Sequence, residues 1–168
     1  DDERQCFANR LWSGKFVRAV APTSFFPLLA GAASAEQAGA MVRLLHDPAK
    51  FGGDWLLPSV TRDDPAFPDN VYWRGRIWPP LNFLVWLGLK RAGFAAEATM
   101  LAENGWRLFQ RAWVMRTCPE NFSAVSGRDT RTSGEMLTGA LKRSVPLPFS
   151  NSRLNAGTLT LVFGSEYV

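Results

Sequence analysis

Seven consecutive residues, Tyr72-Trp73-Arg74-Gly75-Arg76-Ile77-Trp78, hold three aromatic rings and two guanidinium groups. Rings offer flat apolar faces, and guanidinium groups offer planar arrays of donors. A sugar needs both: a surface for its C–H faces and donors for its hydroxyls. The stretch therefore suits a carbohydrate site, with Trp73 stacking on the sugar and Arg74 bonding to it. Tyr72 and Trp78 are further contacts of the same kind. The plainer alternative is a core tryptophan beside an arginine that pins a loop. Arg76 can serve the site or pair with a neighbouring carboxylate. Trp12 and Trp55 suit core packing better than the pocket.

The elements around this stretch must position it. Pro79 and Pro80 suit a helix start, because the first turn does not use their missing N–H groups. From Trp78 to Leu89 nearly every residue is apolar, and Asn82 is the clear exception. A helix apolar all round is covered on all sides, and this one is too short and proline-broken to span a bilayer. Asn82 must then find a partner, either the substrate or a loop backbone. The aromatic loop thus lies at the mouth of a helix expected to be fully buried.

The preceding chain contains two helical patterns. Thr23 or Ser24 can cap a short helix through Phe25, Phe26, Leu28, Leu29 and Ala30, with Gly31 as its stop. Ser34-Ala35-Glu36-Gln37 reads as a capping box. Ala38, Met41, Val42 and Leu45 then form one apolar face, and Asp47-Pro48 ends the helix. Residues 1–22 read as loop or short extended chain. Residues 49–76 have no helical period, and so long a connection in a compact domain is usually functional. After Ala92-Gly93 a second amphipathic helix runs from Ala95 to about Met115, with Leu101, Gly105, Leu108 and Ala112 on its inner face. Buried and amphipathic helices alternate, which predicts an inner layer covered on both sides and an outer layer with one wet face.

Composition narrows the chemistry. The 168 residues are 46% hydrophobic, with 7 Trp and 12 Phe, enough for one globular domain with a real core. The net charge of +4 is spread along the chain, not gathered into the basic face that nucleic-acid binding uses. His46 is the lone histidine, and Cys6 and Cys118 form no CxxC. A zinc site or a histidine base within the chain is therefore disfavoured, no cofactor is expected, and two buried free thiols are. There is no initiator methionine and no apolar N-terminal targeting stretch, so the chain reads as a piece of a longer protein. Cys118 to Gly127 is a turn-rich loop with one carboxylate, Glu120. Beyond it, a short helix is expected from Glu135 to about Lys142. A strand is expected over Thr158 to Phe163, with Asn151 to Leu154 as its hairpin partner.

Five motifs together resemble the C-terminal half of the catalytic domain of glycoside hydrolase family 63 and its mannosylglycerate-hydrolase-like relatives, and more distantly trehalases. They are Asn9-Arg10-Leu11-Trp12-Ser13-Gly14, Pro22 to Gly31, Leu57-Pro58-Ser59, Tyr72 to Trp78, and Glu120-Asn121-Phe122 with Gly127. They cover roughly residues 7–127 in the family's order. The resemblance implies a mainly α fold: part of an (α/α)6 barrel, of the six-hairpin glycosidase type, over residues 1–145, with residues 146–168 as a short β tail. It also implies inverting hydrolysis of α-linked glucosides or related α-glycosides. Glu120 is then the general base that activates water, and Asn121 is a further substrate contact.

Such chemistry needs two carboxyl groups about 6.5–9.5 Å apart, one protonated and one ionised. The family's general acid is an upstream aspartate whose motif is absent from these residues. Asp63 and Asp64 are the nearest substitutes, and nothing in the pattern singles them out. The barrel needs twelve helices and this sequence supplies about five. The resemblance therefore implies a carbohydrate ligand, with the missing N-terminal half or an oligomer partner completing the domain. Alone, such a half-barrel would expose apolar surface and tend to aggregate. The end of the chain departs from the family: Thr138-Gly139-Ala140-Leu141 stands where a Trp-Gly-Ala-Leu helix is usual, and the polar run over residues 128–133 is unusual. The competing reading is a non-catalytic helical module that binds carbohydrate or protein through the same aromatic mouth.

Overall fold

A computed structural model describes residues 1–113 and 118–129 of the chain. The expected helix near 135–142, the 158–163 strand, its hairpin partner and the last turns of the helix toward Met115 lie outside the described residues. Among the described residues four α-helices dominate: α1 (Phe26–Ala30), α2 (Ala35–His46), α3 (Pro79–Arg91) and α4 (Ala95–Trp113). One small antiparallel sheet pairs β1 (Arg76–Ile77) with β2 (Phe122–Ser123).

Local chemistry explains the helix ends. At α2 the Ser34 hydroxyl accepts from the Gln37 backbone N–H at 3.2 Å, and the Gln37 side chain accepts from the Ser34 N–H at 2.9 Å. The capping box is thus complete. Ala38, Met41 and Leu45 are buried, while Glu36 and Arg43 face outward. The start of α1 differs from expectation. Neither Thr23 nor Ser24 caps it; a 3-10 turn over Pro22–Phe25 leads straight into the α-helix. Gly31 stops α1 in the left-handed conformation, φ 70°.

Helices α1 and α4 both pack on α3. The approach of α1 is close: a Cβ at Gly88 would lie 3.0 Å from the Leu29 amide nitrogen. The core joins Phe25, Leu28, Met41, Leu45, Phe51, Leu57, Val85 and Leu89. Helix α3 is not covered on every side, contrary to its composition. Asn82, Val85, Gly88 and Leu89 are buried, but Leu81, Phe83, Leu84, Trp86 and Leu87 are only partly covered. There Phe83 and Trp86 stack on each other, 5.7 Å apart, and the Lys90 ammonium lies over the Trp86 ring.

The long 49–76 connection has its own architecture. Its backbone is tied by Leu57 N–H to the Phe51 carbonyl, Thr61 N–H to Val20 and Arg62 N–H to Lys50. Phe51 and Leu57 are fully buried within it. It docks on α4 through Asn104, whose Oδ1 accepts from the Leu56 N–H at 3.0 Å and whose Nδ2 donates to the Asp54 carbonyl at 2.9 Å.

Two further expectations need correction. Trp12 is not a core residue; it is fully exposed at the tip of the turn closed by the Arg10–Phe16 bridge. Both cysteines are free, but only Cys6 is buried and Cys118 is exposed. No helix among the described residues is long and apolar enough to cross a membrane.

Candidate active site

The residues before α3 turn back on themselves. Val71 and Arg74 exchange backbone hydrogen bonds of 3.1 and 2.8 Å, which throws Tyr72 and Trp73 to the tip. Gly75 follows at φ 97°, with its N–H donating to the Ser59 hydroxyl at 3.0 Å. A Cβ there would strike the Phe67 carbonyl, so only glycine lets the loop pass. The chain then enters β1 and reaches Trp78, the N-cap residue of α3.

Three of the expected sugar contacts form one aromatic cluster. The Trp73 and Trp78 rings are stacked, 3.8 Å apart and 8° from parallel. Tyr72 stands edge-on to both, at 5.8 and 4.9 Å. The Trp78 indole N–H donates to the Tyr72 carbonyl at 3.0 Å, which fixes the ring beneath the tip. Trp78 is buried, whereas Trp73 keeps a substantial exposed surface.

The arginines diverge. Arg74 points to solvent and pairs with Asp69 at 2.6 Å. Arg76 is buried, and its donors go to neighbouring loops. Its Nε donates to Asn121 Oδ1, Nη2 donates to the carbonyls of Asn121 (3.4 Å) and Arg128 (3.3 Å), and Nη1 donates to that of Asn70 (3.4 Å). Burial pulls its guanidinium below the ordinary arginine range, and the charge of Asp129 opposes that pull.

The Glu120 loop meets the aromatic loop through the sheet. Arg76 pairs with Ser123 and Ile77 with Phe122. Because the strands are antiparallel, Asn121 and Glu120 precede β2 at the end of the sheet from which the chain enters Trp78 and α3. Glu120 is exposed, between buried Pro119 and buried Asn121. After β2 the chain doubles back: Ser123 Oγ accepts from the N–H groups of Val125 (3.2 Å) and Ser126 (3.1 Å) and from Asn70 Nδ2 (2.9 Å). Gly127, at φ 67°, lies against the Trp55 ring, which Arg107 and Arg111 approach at 5.3 and 5.2 Å.

Asn82 is a turn into α3. Its Nδ2 donates to the Leu56 carbonyl at a long 3.5 Å, and its Oδ1 is buried without a partner among the described residues. Asp63 and Asp64 are used locally: Asp63 pairs with Lys50, and Asp64 Oδ1 accepts from the Ala66 N–H at 2.8 Å. Among the described residues no group of three His, Cys, Asp or Glu side chains suits a metal. A pocket between the N-terminal residues and α2, lined by Asp1, Gln5, Cys6 and Gln37, is built from none of the site's side chains.

Sequence reasoning missed Arg62, Asn70 and Asn104. Arg62 donates to the Trp55 carbonyl (2.6 Å) and, more weakly, to that of Ala124 (3.3 Å), so it ties the long connection to the Glu120 loop. Burial lowers its pKa, with Asp54 acting the other way. Asn70 sits at φ 47°, and a Pro-Asp-Asn turn was the signal that could have found it.

Residues 1–135 match the mannosylglycerate hydrolase MGH1-like glycoside hydrolase domain. The chain belongs to this family. It is 34% identical over 114 residues to the mannosylglycerate hydrolase MGH1 of Selaginella moellendorffii, an alignment covering 64% of this chain and 22% of that protein. It is 33% identical over 90 residues to the glucosylglycerate hydrolase of Mycolicibacterium hassiacum, covering 49% of this chain and 20% of that one. The crystal structure of the family 63 mannosylglycerate hydrolase from Thermus thermophilus in complex with glucose superposes with a TM-score of 0.68 at 27% identity. That match covers 77% of this chain and 30% of the crystallised one. The chain thus spans about a fifth of the two curated relatives, and its helices with their small sheet correspond to part of a family 63 fold.

Proposed function

We propose that this chain is the base-carrying part of an inverting glycoside hydrolase that acts on α-linked hexosides, with α-mannosyl and α-glucosyl glycerates as the first substrates to test. The substrate class follows the names of the relatives. Its helices form part of an (α/α)6 barrel, and the general acid is supplied from outside these 168 residues. Glu120 activates the water. The outer face of Trp73 carries the sugar ring, Trp78 and Tyr72 back it, and Arg74 and Asn82 bond to hydroxyls, while buried Asn121 is engaged by Arg76.

One observation carries the reading. The β1–β2 pairing joins the loop that bears the aromatic stack to the loop that bears Glu120. An exposed carboxylate beside a stacking platform can serve the base side of an inverting site, where one carboxylate activates water on a face of the sugar. The orphan Oδ1 of Asn82, buried below the same loop, adds an acceptor that a ligand hydroxyl or water can satisfy.

The test uses the protein at the length its source produces. Glu120→Gln keeps the shape and removes the base, so kcat should fall about 10²–10⁴-fold while sugar binding persists. The first product seen by NMR should have inverted anomeric configuration. An unaltered kcat in E120Q, or a retained configuration, would falsify the assignment. A source protein that binds these glycosides without hydrolysing them would instead be a binding module.

A further inference from the structure

We propose that Arg76 is the positioning residue of Glu120: it fixes the loop that carries the carboxylate to the loop that carries the aromatic platform. This rests on the reading of Glu120 as the base.

Arg76 is 6% exposed, and its planar fork bonds three separate pieces of chain, at Asn70, Asn121 and Arg128. Asn121 is held twice, at its side-chain Oδ1 and at its carbonyl. It is the residue directly after Glu120, so clamping it sets the direction from which the carboxylate leaves the backbone. Arg128 lies on the returning limb of the same turn, where its carbonyl also accepts from the Ser123 N–H at 2.7 Å. One nitrogen, Nη2, therefore closes both limbs of the turn.

Other ties hold the far end. Arg62 bonds Ala124, and Ser123 Oγ bonds the amides of Val125 and Ser126. Arg76 acts at the end that bears Glu120. A lysine cannot copy it, because three donors on one atom cannot span acceptors on three segments at once. The charge of Asp129 offsets part of the cost of burying this cation, and the planar fork still reaches three backbone segments that no apolar residue could tie.

Among the described residues Arg76 reaches only neighbouring loops, and it holds Asn121 by its Oδ1 and carbonyl, so its effect on turnover should pass mainly through the placing of Glu120. In the full-length protein, with α-mannosylglycerate and α-glucosylglycerate as the probes, Arg76→Lys should lower kcat about 10–100-fold, the scale of a base displaced by about 1 Å. KM should stay within about threefold. The double variant R76K/E120Q should be no slower than E120Q, because a misplaced base costs nothing once the base is gone. Arg76→Gln, which keeps a donor for Asn121 without burying a charge, runs the same cycle if R76K does not fold.

Wild-type kcat in R76K or R76Q overturns the proposal, as does a double variant whose loss is the product of the two single losses. Failure of both variants to fold also overturns it, making Arg76 a structural clamp only. The base reading fails separately: E120Q would then turn over like wild type, or the wild-type protein would hydrolyse neither probe.

Discussion

The indole of Trp73 lies flat on that of Trp78, 3.8 Å away, yet the two rings meet water very differently: Trp73 is 46% exposed and Trp78 is 5% exposed. One face of the outer ring is spent on the inner one, and the other face is free. The pair thus separates recognition from support. Trp73→Ala should cost little stability, about 0.5–1.5 kcal/mol for the lost stacking. It should raise KM for the glycoside about tenfold with kcat nearly unchanged. Trp78→Ala should do the reverse and unfold first, by about 3–5 kcal/mol, since it empties a buried site at the start of α3. Denaturant melts beside KM and kcat for both variants check this. Equal effects on the two axes would mean the stack is merely core.

Asn104 joins α4 to the long connection from a buried position, beside Arg107, which also donates to the Asp54 carbonyl at 3.3 Å. Asn104 accepts from Leu56 and donates to Asp54, and it is 2% exposed. Asn104→Ala leaves a buried backbone N–H without a partner, which costs about 1–3 kcal/mol. The Leu56 amide should then lose most of its protection in hydrogen exchange. An unchanged Leu56 amide would show that water replaces the side chain at no cost.

Gly75 is where the platform loop turns into β1. It sits at φ 97°, and its would-be Cβ meets the Phe67 carbonyl, which is itself engaged by the Asn70 N–H at 3.1 Å. The obstacle is backbone and cannot swing aside. Gly75→Ala should therefore destabilise by about 2–4 kcal/mol, from left-handed strain plus overpacking. Because the turn sets the β1 register, activity in the folded fraction should fall as well. A urea melt with activity measured per folded molecule separates the two effects.

These residues also show which parts of the site were legible in the sequence. Ser34 and Gln37 cap α2 as their spacing requires, because both partners lie within one turn. Pro79 starts α3 and Gly31 stops α1 for equally local reasons. The β1–β2 sheet was not legible: two residues per strand carry no alternation, and its partners are separated by 45 and 47 positions. Arg76 illustrates the consequence. Its partner Asn121 is a contact across that sheet, so the residue that could serve the substrate or a neighbouring carboxylate also clamps a neighbouring loop, with the charge of Asp129 acting on it. Helix α3 was overread for another reason. An apolar face predicts that something covers it, not that the cover lies among the described residues.

Lys50 and Asp63 bridge the two ends of the long connection's first bend, where Arg62 and Asp63 N–H groups also return to Lys50 and Ala49. Partial burial alone would raise the Asp63 carboxyl, but hydrogen bonds from Lys50 and Thr61, with the Lys50 charge, outweigh it and set the pKa below its ordinary 3.8. A carboxylate lowered on folding stabilises the fold above its unfolded pKa and loses that contribution as pH falls through the folded value. The contribution is thus whole well above the unfolded value of about 4 and is lost only as pH falls through the lower, folded one. Asp63→Asn should lower stability at pH 7 by only about 0.2–1 kcal/mol, since both side chains are more than a third exposed or close to it, at 34% and 46%. The gap between wild type and D63N should close as pH falls below about 4, and about 1 M salt should shrink it at pH 7. Melting curves across that range check the sign: a gap that widens in acid would mean that burial, not Lys50, governs this carboxyl.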